Sequence, residues 1–363
     1  MEQRDNPEKL KRILKRILLL LIILATVLSV AVVFVWSKLD LIQYENEIDY
    51  EIYRSQTETE GVETKPAEIV SLEGLEQVET APPIPESEVF QDDDVFNILL
   101  IGTDERTTEF HYNARSDSMI LVSIHRGNNT VRLISLERGI GVPILDGEYE
   151  GQYDLLTHIF RWGGADLLVR TVEHCFKVDV DHYVRLNFQS VEKVIDAVGG
   201  INMELTLAEA GYLGNFYYDL NSPYGTKALH TGMNRMNGAS ALAYARLREI
   251  DSDWQRVARQ RKVIIAVVEE LRGASLLELN ALADTVLPLV QTNLTKIQIA
   301  ELVLYAPNFL NASFDQMTIP KQGTYGGMMI RNSAGAFAVD FEINNAIIHD
   351  FLYEGKSSEE LLK

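Results

Sequence analysis

The chain has 363 residues, with 53 acidic side chains against 33 Lys and Arg and a formal net charge of −20. That balance argues against nonspecific binding to anionic polymers, and with no basic nucleic-acid face it sets aside control of transcription by DNA contact. Cys175 is the single cysteine, which excludes an intramolecular disulfide and a thiolate metal cluster; in VRTVEHCF it reads as a small core residue.

Residues 1–16 form a basic leader in which Arg4, Lys9, Lys11, Arg12, Lys15 and Arg16 outnumber three acids. Ile17 to Trp36 carries no charge and is long enough to cross a hydrocarbon layer of about 30 Å as a helix. The positive-inside bias predicts a cytoplasmic N-terminus, a single-pass cell-membrane anchor, and an extracytoplasmic location for everything after Trp36. A cleaved signal peptide is the competing reading, disfavoured by the length of the apolar run and the lack of a small-x-small site after it. Residues 37–94 are acidic and broken by Pro66, Pro82, Pro83 and Pro85, which predicts a solvated tether. Within it, the spacing of four between Tyr44, Ile48 and Ile52 predicts that the membrane helix continues a few turns outward.

From residue 95 to 363 the pattern is that of one globular domain; roughly 270 residues suffice for a single large core. FNILLIG, Phe96 to Gly102, reads as a buried strand. SMILVSI and TVRLISL, joined by Arg126-Gly127-Asn128-Asn129, read as an antiparallel hairpin. Ala165 to Phe176 reads as helix, His182 to Asn187 as strand, and Ser190 to Val198 as a helix stopped by Gly199 and Gly200 before the strand INMEL. Helices are also predicted at Ala239–Ala245, Trp254–Leu271, Leu276–Val290 and Lys296–Tyr305. The fold class is α/β, a mixed central sheet flanked by helices, preceded by an N-terminal transmembrane helix.

Two clusters carry chemistry. AYARLREIDSDWQRVARQ, Ala243 to Gln260, concentrates Arg246, Arg248, Arg256 and Arg259, whose planar forks match phosphate oxygens. On a helix beginning near Trp254, positions 256, 259 and 260 share one face. The apolar stripe Val257, Ile264, Val267, Val268, Leu271 is interrupted by Gln260 and Arg261, which favours a polar pocket floor; the alternative is a solvated helix whose arginines pair with Glu249, Asp251, Asp253, Glu269 and Glu270. The second cluster is a pair of loops at neighbouring strand ends, Thr103-Asp104-Glu105-Arg106 and Arg115-Ser116-Asp117. Paired carboxylates of this kind suit a hard divalent cation, although turn or helix-cap roles are also open to them.

NILLIGTDER, ARSDSMILVSIHRGNNTVRLISLERG, DHYVRLNFQSVEKVIDAVGGINMEL and MNGASALAYARLREIDSDWQRVARQRKVI resemble, in order and spacing, successive blocks of the LytR-CpsA-Psr family across Phe96 to Leu271. The resemblance implies an extracytoplasmic phosphotransferase of Gram-positive bacteria. It would move a glycopolymer such as teichoic acid or capsule from a membrane polyprenyl pyrophosphate carrier to peptidoglycan, with Mg2+ as cofactor and no nucleic acid partner. Carried over residue by residue, it implies that Asp104 and Asp117 hold the metal. It further implies that Arg115, Arg138, Arg246, Arg248, Arg256 and Gln260 grip or orient the pyrophosphate, with Arg259 beside them. Asp253 or Asp251 is the candidate proton acceptor for an incoming sugar hydroxyl, or else an ion-pair partner for the arginines. Phe160, Trp162, Phe188 and Trp254 are candidates to line a lipid groove, or else plain core.

The chain departs from the family pattern where Glu137-Arg138-Gly139 stands in place of a proline-arginine-aspartate run, and LLTHIFRWGG differs from the small-residue pattern before the double glycine. In that segment His158 and Arg161 are candidates to contact acceptor glycan, or a packed pair beside a helix start. The departure motivates the alternative function, a membrane-tethered polyprenyl-phosphate or glycan binding protein with little or no turnover.

Overall fold

A computed structural model describes residues 33–44, 72–105, 114–222, 227–272, 274–330 and 335–362. The basic leader and the predicted membrane span up to residue 32 lie outside these residues, as do Ile48, Ile52 and Arg106. Residues 33–39 are helical, and among the described residues no helix is long and apolar enough to cross a membrane.

The strands are β1 (Gln43–Tyr44), β2 (Val95–Thr103), β3 (Ser116–His125), β4 (Thr130–Leu136), β5 (Gly141–Pro143), β6 (Tyr153–Leu155), β7 (His182–Asn187), β8 (Ile201–Leu205), β9 (Gly232–Met236), β10 (Gln291–Thr292), β11 (Ser313–Ile319), β12 (Tyr325–Met329) and β13 (Gly335–Val339). The helices are α1 (Leu156–Phe176), α2 (Phe188–Ala197), α3 (Leu207–Leu213), α4 (Gly238–Arg246), α5 (Asp253–Arg272), α6 (Leu276–Val286), α7 (Lys296–Leu310) and α8 (Phe341–Leu352). The main sheet runs β1-β10-β7-β2-β3-β4-β11. It is mixed: β2 is parallel to β7 and antiparallel to β3, and β4 is antiparallel to β3 and parallel to β11.

Strand periodicity sorts the core onto two faces. Leu99, Ile101, Met119, Leu121 and Ile134 pack under α1 and α8 through Phe160, Leu168, Phe341 and Phe351. Ile98, Ile120, Val122 and Leu133 face the other way, against Ile264 and Ile265 of α5 and Leu302 and Phe309 of α7. A third cluster joins β8, β9, α4 and α5 around Ile201, Met236, Tyr244 and Val263. Asn187 and Asn237 cap α2 and α4 by accepting from Ser190 and Ser240 backbone N–H groups, so each helix starts where its strand ends.

The predicted elements fall within a few residues of the observed ones, with α1 starting earlier than its predicted Ala165. Gly163 and Gly164 kink it, and Gly164 at φ 64° adopts a backbone that other residues rarely accept. The stretch read as a tether differs more. Residues 72–94 lie along the domain: Val78 N–H donates to Gly327 at 3.0 Å, and Phe90 exchanges backbone hydrogen bonds with the Lys177–Asp179 segment. Leu39 and Ile42 are buried, and β1 pairs in parallel with β10. The prolines and acids that make this stretch look solvated leave enough backbone and apolar side chains to bridge existing strands.

Candidate functional site

At the end of β2 the ladder with β3 shifts register at Gly102/Thr103, and a side chain at Gly102 would meet Ser118 Cβ at 2.9 Å. The shift splays the two loops so that their charged residues meet. Asp104 accepts from the Arg115 backbone N–H at 2.9 Å and from its Nε at 3.0 Å, with Nη2 also at 3.0 Å. Asp117 lies near enough to feel Asp104. Burial pushes its carboxyl above the ordinary range, Arg138 opposes this, and Asp104 adds to it.

Arg138, just past β4, reaches both ways: Nε donates to Asp253 at 3.0 Å and Nη1 to Asp117 at 3.4 Å. Asp253, the first residue of α5, also accepts from Arg256 Nη2 at 2.9 Å and pairs with Arg248 Nε at 3.5 Å. Three guanidinium groups thus converge on one carboxylate at the wall of a cavity of about 640 Å³. Arg115, Glu137, Arg138, Arg248, Asp253 and Trp254 are among its lining residues. Carboxylate-held arginines around a cavity are suited to anion oxygens, because each fork is fixed before the ligand arrives.

Of the residues singled out by sequence, Asp104, Arg115, Asp117, Arg138, Arg248, Asp253 and Arg256 form this connected array. Arg259 does not face the cavity as an anion ligand: both its Nη atoms bond Asp251 at 2.7 Å, and Nη2 also donates to the Leu247 carbonyl. Asp251 is therefore held by Arg259 rather than left free as a base. Arg246 lies exposed with its guanidinium over the Phe188 ring at 4.3 Å, away from Asp253's arginines. Gln260 keeps a buried Oε1 with no partner among the described residues. Arg261, read as floor, instead binds Ser135, Gln316 and Thr318 on the sheet.

Among the aromatic candidates only Trp254 lines the cavity, its ring 5.5 Å from Tyr325 and 5.9 Å from Phe337. Phe160 is fully buried under Arg185, and Trp162 donates to Asp154 at 3.0 Å. Arg161 has a buried Nε with no partner among the described residues, close enough to Arg115 and Asp104 to feel both charges.

Sequence reasoning passed over Glu137, which is 1% exposed. Burial raises its carboxyl well above the ordinary range, and the hydrogen bond and negative charge of Asp253 add to that rise; Arg138 and Arg248 offset it only in part. The raised carboxyl keeps its proton to higher pH than an exposed glutamate does. In the sequence Glu137 stands where the family run has a proline, and nothing local announces a partner on α5.

A family model described as the LytR_cpsA_psr family matches residues 52–345. The polyisoprenyl-teichoic acid–peptidoglycan teichoic acid transferase TagU of Bacillus cereus is 30% identical over 280 residues, 76% of this chain and 82% of that protein. TagT of Bacillus subtilis is 33% identical over 184 residues, 50% of this chain and 54% of that protein. Among solved structures, TagT bound to LI-WTA superposes with a TM-score of 0.56 at 25% identity, over 72% of this chain and 90% of that one. The gbs0355 protein of Streptococcus agalactiae gives a TM-score of 0.59 at 24% identity, over 73% and 90%, a likeness of fold alone.

Proposed function

Because the chain belongs to the LytR-CpsA-Psr family, we propose that it is an LCP-type transferase, moving a glycopolymer from a polyprenyl pyrophosphate carrier to peptidoglycan. The observation that carries this reading is the convergence of Arg138, Arg248 and Arg256 on Asp253 beside a cavity of about 640 Å³. Transfer at a pyrophosphate gathers negative charge on the phosphoryl oxygens and on the departing phosphate. Fixed guanidinium donors stabilise that charge without covalent chemistry from the protein. Arg115 and Arg138 border the donor phosphates from the loops after β2 and β4 and Arg248 from the connection before α5, with the buried Arg256 holding Asp253 behind them. Trp254 offers an apolar surface to the first carrier units.

Asp104 and Asp117 fit a magnesium ion in donor type: two oxygen ligands, one of them buried and raised in part by the other's charge, which a divalent cation would relieve. Among the described residues no group of three carboxylate, imidazole or thiol side chains stands ready for a metal, so phosphate and water oxygens would complete the shell. When bound, Mg2+ supplies Lewis acidity to the phosphoryl oxygens. Arg115 and Arg138, bonded to these carboxylates, orient them.

We place the domain outside the cytoplasmic membrane, tethered by Ile17 to Trp36. In support, Val33, Phe34, Val35 and Trp36 are exposed whereas Leu39 is 3% exposed, and Lys38 pairs with Asp284 at 2.5 Å. The chain thus changes from solvent- or lipid-facing to domain-packed within a turn of the anchor's end.

The test is full-length protein in lipid vesicles given a glycopolymer on polyprenyl pyrophosphate, Mg2+ and peptidoglycan. Release of polyprenyl phosphate with labelled peptidoglycan is the expected result. Tight donor binding with no product favours the tethered binding protein, and neither binding nor product overturns both.

A further inference from the structure

Asp154 is the middle residue of β6, just before Leu155, the N-cap of α1, which makes no side-chain cap bond. Its Oδ1 accepts the Leu155 N–H at 2.8 Å and meets His158 Nδ1 at 2.8 Å, and Oδ2 accepts from Trp162 Nε1 at 3.0 Å. Asp154 is 6% exposed and His158 9%, so the pair is shielded on most sides. Burial would raise the Asp154 carboxyl, but His158, the Leu155 N–H and Trp162 together hold the group below its ordinary value. An ionised carboxylate only accepts, so Nδ1 carries the hydrogen and the Nε2 lone pair is free in the neutral ring. Nε2 makes no hydrogen bond among the described residues, and His158 lines the same cavity as Arg138 and Asp253.

The preceding residue ties this dyad to the anion site. Thr157 N–H donates to the Arg138 carbonyl at 3.1 Å, and its hydroxyl donates to the Ser116 carbonyl at 2.9 Å, between Arg115 and Asp117. The other candidate acceptors on the cavity wall are engaged. Asp253 receives three arginines and Asp251 two bonds from Arg259. Burial and Asp253 raise the Glu137 carboxyl well above its ordinary range, and burial raises the Tyr325 phenol. Glu73 sits exposed at the rim, solvated by water.

We propose that His158 is the catalytic proton acceptor for the attacking sugar hydroxyl and that Asp154 is its positioning residue. This step rests on the transferase reading above. The hydroxyl oxygen forms a bond to phosphorus while its proton passes to Nε2. The bond from phosphorus to the bridging oxygen breaks, and its electron pair leaves on polyprenyl phosphate. Asp154 stabilises the imidazolium until the proton passes to water or to the departing phosphate.

The experiment measures transfer by full-length wild type, H158Q, H158A and D154N in vesicles, with donor affinity and thermal unfolding measured alongside. In H158Q, kcat falls by about 10²–10⁴-fold with donor affinity within about threefold of wild type, the range for loss of a general base. D154N falls by less, with the same split between kcat and KM. Added imidazole restores part of the H158A turnover and none of that lost in R138A. The proposal is overturned if H158Q transfers at near wild-type rate, if donor affinity falls in step with turnover, or if imidazole restores nothing to a folded H158A. A wild type that binds donor yet transfers nothing overturns the transferase reading and this step together, and is recognised by failing before any substitution is made.

Discussion

Arg185, inside the sheet, and Arg138, beside the cavity, meet carboxylates in opposite ways. Arg185 is 1% exposed and pairs with Glu105, with Gln291 at 2.7 Å, Thr103 at 3.4 Å and the Phe160 ring beneath it. Arg138 divides its fork between Asp117 and Asp253, and Asp253 answers two further arginines. Arg261 resembles Arg185 in its saturation, with three neutral oxygens for one guanidinium. In the sheet, acceptors match donors and the result is structure. At the cavity Arg138, Arg248 and Arg256 meet on Asp253, with Asp117 a second carboxylate for Arg138, and that cluster of guanidinium groups is where another anion fits.

The comparison breaks most sharply at Arg185. R185M removes the buried Arg185–Glu105 pair and should cost about 3–5 kcal/mol, read from urea denaturation. R138A should instead lower transfer by about 10²–10³-fold, the range for a lost charge-stabilising donor, while the urea midpoint moves far less than in R185M. Equal destabilisation by the two would erase the distinction. D104N keeps a hydrogen-bond acceptor for Arg115 but removes a hard oxygen charge, so the dependence of turnover on Mg2+ should shift to higher concentration or vanish; an unchanged titration would remove Asp104 from the metal.

The smallest effect expected is in stability against pH. Because Glu137 is raised in the folded chain, the folded state holds a proton that the unfolded chain releases. Its contribution is complete below the ordinary carboxylate range and is lost as pH rises through the raised value. E137Q should flatten the fall in unfolding free energy above that range, and a wild-type slope retained in E137Q would place the proton elsewhere. Asp117, raised by burial in the same direction, contributes with the same sign.

Much of the frame is legible because it depends on local pattern. Alternation in NILLIG and SMILVSI, the turn at Arg126–Asn129 and the double glycine before INMEL all act over a few residues. The later strands are harder to read. β11 is half-exposed along most of its length, and β13, GAFAV, is buried but built of small residues, so neither has the alternation of a strand with one wet face. The arginine stretch announces an anion because guanidinium groups are costly to leave without acceptors. Which of them turn inward depends on Asp251, which holds Arg259, and on Asp253, the first residue of α5, which gathers Arg138, Arg248 and Arg256.

Residue type and spacing alone therefore determined the α/β frame, the apolar run near the N-terminus, and the presence of loops and a helix rich in phosphate-matching groups. Tertiary structure decided the sorting. Arg138 and Asp253 are 115 positions apart and meet only because β4 ends beside the start of α5. Burial at that meeting point raises Glu137, and the fold of β6 into α1 turns Asp154 toward His158 at the same cavity. The physical reason is range: hydrophobic period and turn chemistry act over a few residues, whereas charge pairing and desolvation depend on whatever the folded chain brings within a few ångströms.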